Sequence, residues 1–280
     1  MMGHALRDTR SLLTPYGGYI MKSAAGYKTL TIGWASLLEA IRRKDIYVML
    51  ILSGIVIAVT GIFNAFGVPE LHKFMMDVSL TIINIFTIVI AVIVSARQLP
   101  YELEHRTLYP MLAKPIGRFQ FLIGKFAGVV EISAVALLMF SIVAGIVFVG
   151  FGIPLTTTFF EYIYLRWISL FLICAMTLCL SLVLTQAANV VVSLLICFGA
   201  AIFSRTVVIV HTSLNPLQQK LIGAAYWIFP HMDLFDMSKR VIHGIEPSPV
   251  WALAGMTLYA LIYTSIFLGL GYLRFRRQPL

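Results

Sequence analysis

The 280-residue sequence predicts an all-α, polytopic membrane protein, and three observations predict it. Hydrophobic residues make up 60% of the chain and charged residues only 12%, about half the charge of an ordinary soluble domain, where roughly 25% is usual. Six apolar segments reach the roughly 20 residues that cross a hydrocarbon core as helices. These segments are apolar all round, whereas barrel strands are short and alternate polar with apolar residues.

The six spans fall near Ile46 to Phe66, Val78 to Ala96, Gly128 to Gly150, Trp167 to Thr185, Val190 to Val210 and Val250 to Leu273. The fifth is the least regular. Its uninterrupted apolar run is only Val190 to Phe203, and Arg205, near one end, can snorkel to headgroups. Together the spans form a transmembrane domain over residues 46–273. The turn between the fourth and fifth, near Gln186 to Asn189, is so short that those helices are antiparallel neighbours.

Charge sets the orientation. The region before the first span carries a net +4, residues 97–125 a net +3, and the tail adds Arg274, Arg276 and Arg277. The remaining loops, with Glu131, sum to −1. An even number of spans places both termini on one side, and the positive-inside rule makes that side the cytoplasm. The expected location is therefore the cytoplasmic (inner) cell membrane, in multi-pass form. The basic balance reflects topology and lipid contact, with no nucleic-acid partner implied.

Flanking elements follow the same logic. Residues 1–26 are rich in Gly, Tyr, Ser and Thr without a period and read as a cytoplasmic arm; no apolar core follows Arg7 and Arg10, so the start is not a cleavable signal. In residues 27–45, Leu30, Trp34, Leu37, Leu38 and Ile41 recur at three- and four-residue steps before Arg42, Arg43 and Lys44. That pattern describes an N-terminal interfacial amphipathic helix. A shorter outer loop, Phe151 to Arg166, separates the third and fourth spans. The long outer loop, 212–249, contains two helical-spacing runs, Leu217 to Ile228 and Leu234 to Val241, that suit amphipathic helices dipping into the outer leaflet. Residues 274–280 form a cytoplasmic tail. Cys174, Cys179 and Cys197 all lie within spans, so disulfides are not expected, and no metal spacing is present.

The most polar internal stretch, "EHRTLYPMLAKPIGRFQFLIGK" from Glu104 to Lys125, joins spans 2 and 3. It is not a phosphate-binding loop: Gly117 and Gly124 are separated by six residues rather than four, and Lys125 is followed by Phe126 instead of Ser or Thr. Leu103, Leu108, Met111 and Leu112 can share one helical face while Glu102, Glu104, His105 and Arg106 decorate the other. Pro110 disfavours a long helix, and Pro115 holds Lys114 out of the α region. The result is a short amphipathic helix, a rigid turn and a re-entry at Phe119 to Phe121, a protruding knob suited to a groove on a soluble partner.

At these residues the chain resembles the membrane subunits of type-2 (ABC-2) ATP-binding cassette exporters, within them the permeases serving sodium export and nitrous-oxide-reductase maturation. The resemblance rests on Glu104, Arg106, Thr107 and Leu108, then Leu112, Ala113, Lys114, Pro115, Ile116 and Arg118, then Gly124 and Lys125. It extends more weakly to "FPHMDLFD" at Phe229 to Asp236. His105, Tyr109 and Pro110 depart from the commonest pattern, which leaves the start and length of the helix open.

The resemblance implies a cytoplasmic coupling helix between spans 2 and 3 that seats on a separate ABC ATPase subunit. It implies an ATPase-coupling set of Glu102, Glu104, Arg106, Thr107, Leu108, Leu112, Lys114, Pro115, Arg118 and Lys125. ATP and Mg would be bound by that partner and no cofactor by this chain, which would be a non-catalytic subunit paired with a second copy or a homologous permease. Read as residues alone, Lys114, Arg118 and Lys125 suit either an ATPase surface or lipid phosphates.

Within the spans, Asn84 and Thr87 share a face, and Glu131 lies just inside the third; each suits a pathway or helix packing. An ion pair from Glu131 to Lys125 or Arg97 would be a sufficient structural role. His211, His231 and His243 share a loop with Asp233 and Asp236 at spacings that match no standard metal motif. Two other function classes make different demands on the sequence. An ion-coupled secondary transporter needs charged or broken midplane helices, and an intramembrane lipid-modifying enzyme needs a nucleophile and base or a metal triad; neither is visible. The absence of a strongly charged pathway favours an apolar, lipid-like or peptide cargo.

Overall fold

A computed structural model describes residues 71–104, 118–210 and 230–277, with four isolated helical positions, Ile51, Gly54, Ile55 and Val59. Among the described residues there are helices and no strands. In chain order they are α1 (Leu71–Glu104), α2 (Arg118–Gly150), α3 (Thr157–Ser181), α4 (Gln186–Val210), a 3-10 turn (Met232–Phe235), α5 (Ser238–His243) and α6 (Val250–Arg277). Stretches within α1, α2, α3 and α6 are long and apolar enough to cross a membrane. The apolar run of α4, Gln186–Ala200, is shorter. The sequence prediction of six spans therefore stands at four qualifying helices here. The first predicted span lies outside the described residues apart from its four positions, as do the interfacial helix at 27–45, the coupling helix after residue 104 and the run at 217–228.

Helix α3 is the axis of the bundle. It packs against α1, α2, α4 and α6 and is the most enclosed spanning helix, whereas α6 lies at the edge and is the least. Hydroxyls on the inner faces are consumed by their own helices: Ser79 donates to Met75 O, Ser95 to Ala91 O, Ser133 to Val129 O and Thr177 to Ile173 O, at 2.6–2.9 Å. Such small, self-satisfied side chains let helices approach closely where no water is present. At one crossing Ser133 Oγ lies 3.8 Å from Cys174 Sγ. Around it, Ala91, Val129, Ala136, Leu170 and Phe140 form part of one continuous apolar core.

Turn chemistry sets the joints. Gly152 takes φ +75 after α2, and Pro154 follows before α3 starts at Thr157. Helix α3 thus begins ten residues before the predicted span and takes up Thr157 to Arg166, expected as outer loop. The α3–α4 joint is Leu182 to Thr185, and Asn189 ties it by donating its side-chain amide to Thr177 O at 3.1 Å while accepting from Ser193 Oγ at 3.0 Å. Helix α1 runs through Pro100 to Glu104, and α2 resumes at Arg118, so both flanks of the region 97–125 are helical. Helix α6 extends through Arg277, taking in most of the predicted tail.

Residues 230–249 do not project from the bundle. Met232, Phe235 and Val241 are buried against it, the 3-10 turn touching α3 and α4 and α5 touching α1 and α3. The helical period seen at Leu234 to Val241 is real over α5, but its apolar side is covered by this chain's own helices. Leu234 itself is exposed.

Candidate functional site

Two clusters of polar side chains mark opposite ends of the bundle. The first surrounds the gap between α1 and α2. Lys125, only 6% exposed, donates from Nζ to Gln98 Oε1 at 3.2 Å and stands 6.0 Å above the Phe121 ring. Its charged head is thereby held inside the joint of α1 and α2.

Arg118, in the first turn of α2, donates from Nη1 to Arg276 O at 2.9 Å and Phe275 O at 3.3 Å. These are carbonyls of the last turn of α6, the end of a helix that carries partial negative charge and unsatisfied acceptors. The guanidinium also lies 6.0 Å from the centroid of Phe275, whose ring stacks on Phe121 at 6.2 Å. Phe119 meets Tyr272 edge-on at 5.4 Å. The start of α2 and the end of α6 are thus one unit.

Of the other residues in the predicted coupling set, Glu102 and Glu104 belong to the last turn of α1. Arg106, Thr107, Leu108, Leu112, Lys114 and Pro115 lie outside the described residues. Lys125 pairs with Gln98, and Glu131 is exposed on the outer face of α2. That face continues as the apolar stripe Leu138, Ile142, Ile146 and Val149. Thr87 is fully buried, and Asn84 Oδ1 and Thr87 Oγ1 are both enclosed without a hydrogen-bond partner among the described residues. Their shared face on α1 turns inward.

The second cluster lies at the N-terminal end of α3. Tyr162 is completely buried and donates its hydroxyl to Leu80 O of α1 at 2.8 Å. One turn on, Arg166 is 3% exposed, with its guanidinium 5.6 Å from the Tyr162 ring centroid and Nη2 3.8 Å from Asp236 Oδ1. Asp236 also accepts from Ser238 N and Oγ at 3.3 and 2.7 Å. Tyr259 of α6 holds His231 through both its backbone N–H and its Nδ1, at 3.0 and 3.1 Å. Glu161 accepts from Ser248 N at 3.0 Å.

Sequence reasoning missed Arg166 and Tyr259 as site residues. A cue was present: Phe159, Tyr162, Leu165 and Ile168 keep helical spacing across the supposed loop, which places Arg166 on a helix. Arg166, expected in an outer loop, is instead buried on α3 inside the bundle. Among the described residues no group of three or more His, Cys, Asp or Glu side chains could hold a metal ion.

Long apolar helices around an enclosed axis, with polar groups held at the two ends, define a multi-pass membrane protein. The family model described as ABC-2 family transporter protein matches residues 33–280. The chain belongs to that family and is a transmembrane permease of the ATP-binding cassette type. No curated protein sequence matches it.

Proposed function

We propose that this chain is the permease half of an ATP-driven exporter, moved by a separate ABC ATPase that docks on the segment between α1 and α2. The observation that carries the reading is the bracing on either side of that segment. Lys125 ties α2 to Gln98 of α1, and Arg118 ties α2 to the last carbonyls of α6. A push on residues 105–117 would reach three helices at once, which a freely solvated loop would not require.

In this reading Glu102, Glu104, Arg106 and Lys114 face the ATPase, while Arg118 and Lys125 carry the force inward. ATP and Mg belong to the partner. Both termini and the α1–α2 segment are cytoplasmic in the inner membrane, and the Arg166 end is outer. Two permeases, identical or related, enclose the path between them.

Co-purification from membranes tests this. Glu104→Lys or Arg106→Glu should reduce recovery of the ATPase at least tenfold with the permease still folded by size-exclusion profile. Undiminished recovery after deletion of residues 102–114 would overturn the proposal.

A further inference from the structure

We propose that residues 230–249 form a strap across the outer end of the bundle, latched by Arg166 and Asp236, and that its release is the outward-opening step. The inference rests on the permease reading above.

Buried Met232, Phe235 and Val241 seat the strap, and polar ties fasten it to the helices beneath. Ser248 N reaches Glu161 of α3, His231 reaches Tyr259 of α6, and Asp236 faces Arg166 of α3. The tie from Asp236 to Arg166 is the incomplete one. Arg166 is 3% exposed, yet its Nε and Nη2 make no hydrogen bond among the described residues, and the carboxylate stands at 3.8 Å, beyond hydrogen-bond reach. A buried charge is costly unless well paired. Here the closed state leaves that cost partly uncompensated.

Asp236 is by contrast 20% exposed and stabilised within its own segment by Ser238. It can leave without unfolding its turn. When it does, Arg166 stays on α3 and meets water, so opening recovers solvation that closure withholds. Apolar packing beneath the strap is also unfinished: a crevice of about 160 Å³ separates Val241, Ile242 and Gly244 from Phe148, Ile153 and Phe159. Gly244, at φ +61, ends α5 and gives the strap its bend before Pro247 and Pro249 lead into α6. The construction is a short element seated on Phe235 and Val241 over an enclosed axis, with its weakest joint at an ion pair that water can replace.

Hydrogen–deuterium exchange on the permease–ATPase complex in lipid nanodiscs tests the latch, with ATP plus vanadate as the trapping probe. Trapping should raise exchange at least tenfold at the amides of Ser238, Ile245 and Ser248. Asp236→Asn, which keeps an acceptor for Ser238, should raise it without nucleotide. Arg166→Gln combined with Asp236→Asn removes both charges and should restore slow exchange there. A response confined to residues 97–125 would overturn the latch and leave the permease reading standing. No response to nucleotide in either region would overturn the permease reading and the latch with it. Unchanged strap exchange in Asp236→Asn would overturn the latch on its own.

Discussion

Arg118 and Arg166 are both arginines held against helices of the same bundle, and they are bonded in opposite ways. Arg118 finds two carbonyl acceptors at 2.9 and 3.3 Å and an aromatic face. Arg166 finds one carboxylate at 3.8 Å and one ring. The first is a clamp, because its partners are backbone atoms of a helix end and cannot turn away. The second is a latch, because its partner is a side chain on a short segment that can. The proposed transport cycle would use both, the stiff end to receive force and the yielding end to open.

The largest expected effect breaks the stiff end. Arg118→Ala removes two charge-assisted hydrogen bonds and a ring contact, a loss of about 2–3 kcal/mol at this joint. The last turn of α6, residues 272–277, should then exchange rapidly. Arg118→Lys recovers one donor geometry and should restore only part of the protection. Unchanged exchange at 272–277 in Arg118→Ala would show that α6 is held elsewhere and that the contrast between the two arginines is false.

A smaller change separates packing from latching at the outer end. Tyr162→Phe keeps the ring beneath Arg166 and deletes only the hydroxyl that reaches Leu80 O. The expected cost is about 1 kcal/mol, seen as a lower thermal midpoint in detergent, with strap exchange within twofold of the parent. If the strap opened as readily as in Asp236→Asn, Tyr162 would belong to the latch, and the ion pair would not be its sole control.

How much of this was legible in the sequence differs between the two ends for physical reasons. Apolar runs marked α1, α2, α4 and α6 because hydropathy follows directly from composition. The α1–α2 segment was legible as a charged, Pro-broken interruption. Arg118 was legible as a cation there, but its acceptors are main-chain carbonyls at 275 and 276, and every residue carries a carbonyl. The start of α3 was missed because Thr157, Glu161 and Arg166 lower local hydropathy although the chain is already helical. Arg166 meets Asp236 across seventy positions, and Lys125 meets Gln98 across twenty-seven. Such pairings belong to tertiary structure and leave no local pattern.

Local effects, with no change in the bundle as a whole, are expected at two glycines, one at each end. Gly271 of α6 faces α3, and a Cβ there would meet Cys179 Cα at 3.7 Å and Leu182 Cδ1 at 3.8 Å, ordinary contact distances. Gly271→Ala should therefore be neutral or stabilising by up to about 1 kcal/mol, since alanine is the better helix former. Gly244 has nothing within 4 Å of an added Cβ, yet its φ of +61 is unfavourable for a side chain. Gly244→Ala should cost about 1 kcal/mol at the strap and raise exchange there several-fold without moving the global thermal midpoint. Space is thus available at both positions, and only backbone conformation differs. Equal effects on strap exchange from the two substitutions would mean that opening follows the stability of the whole bundle. A response to Gly244→Ala alone would place the yielding element in the strap, whose Asp236 faces the loosely bonded arginine of α3.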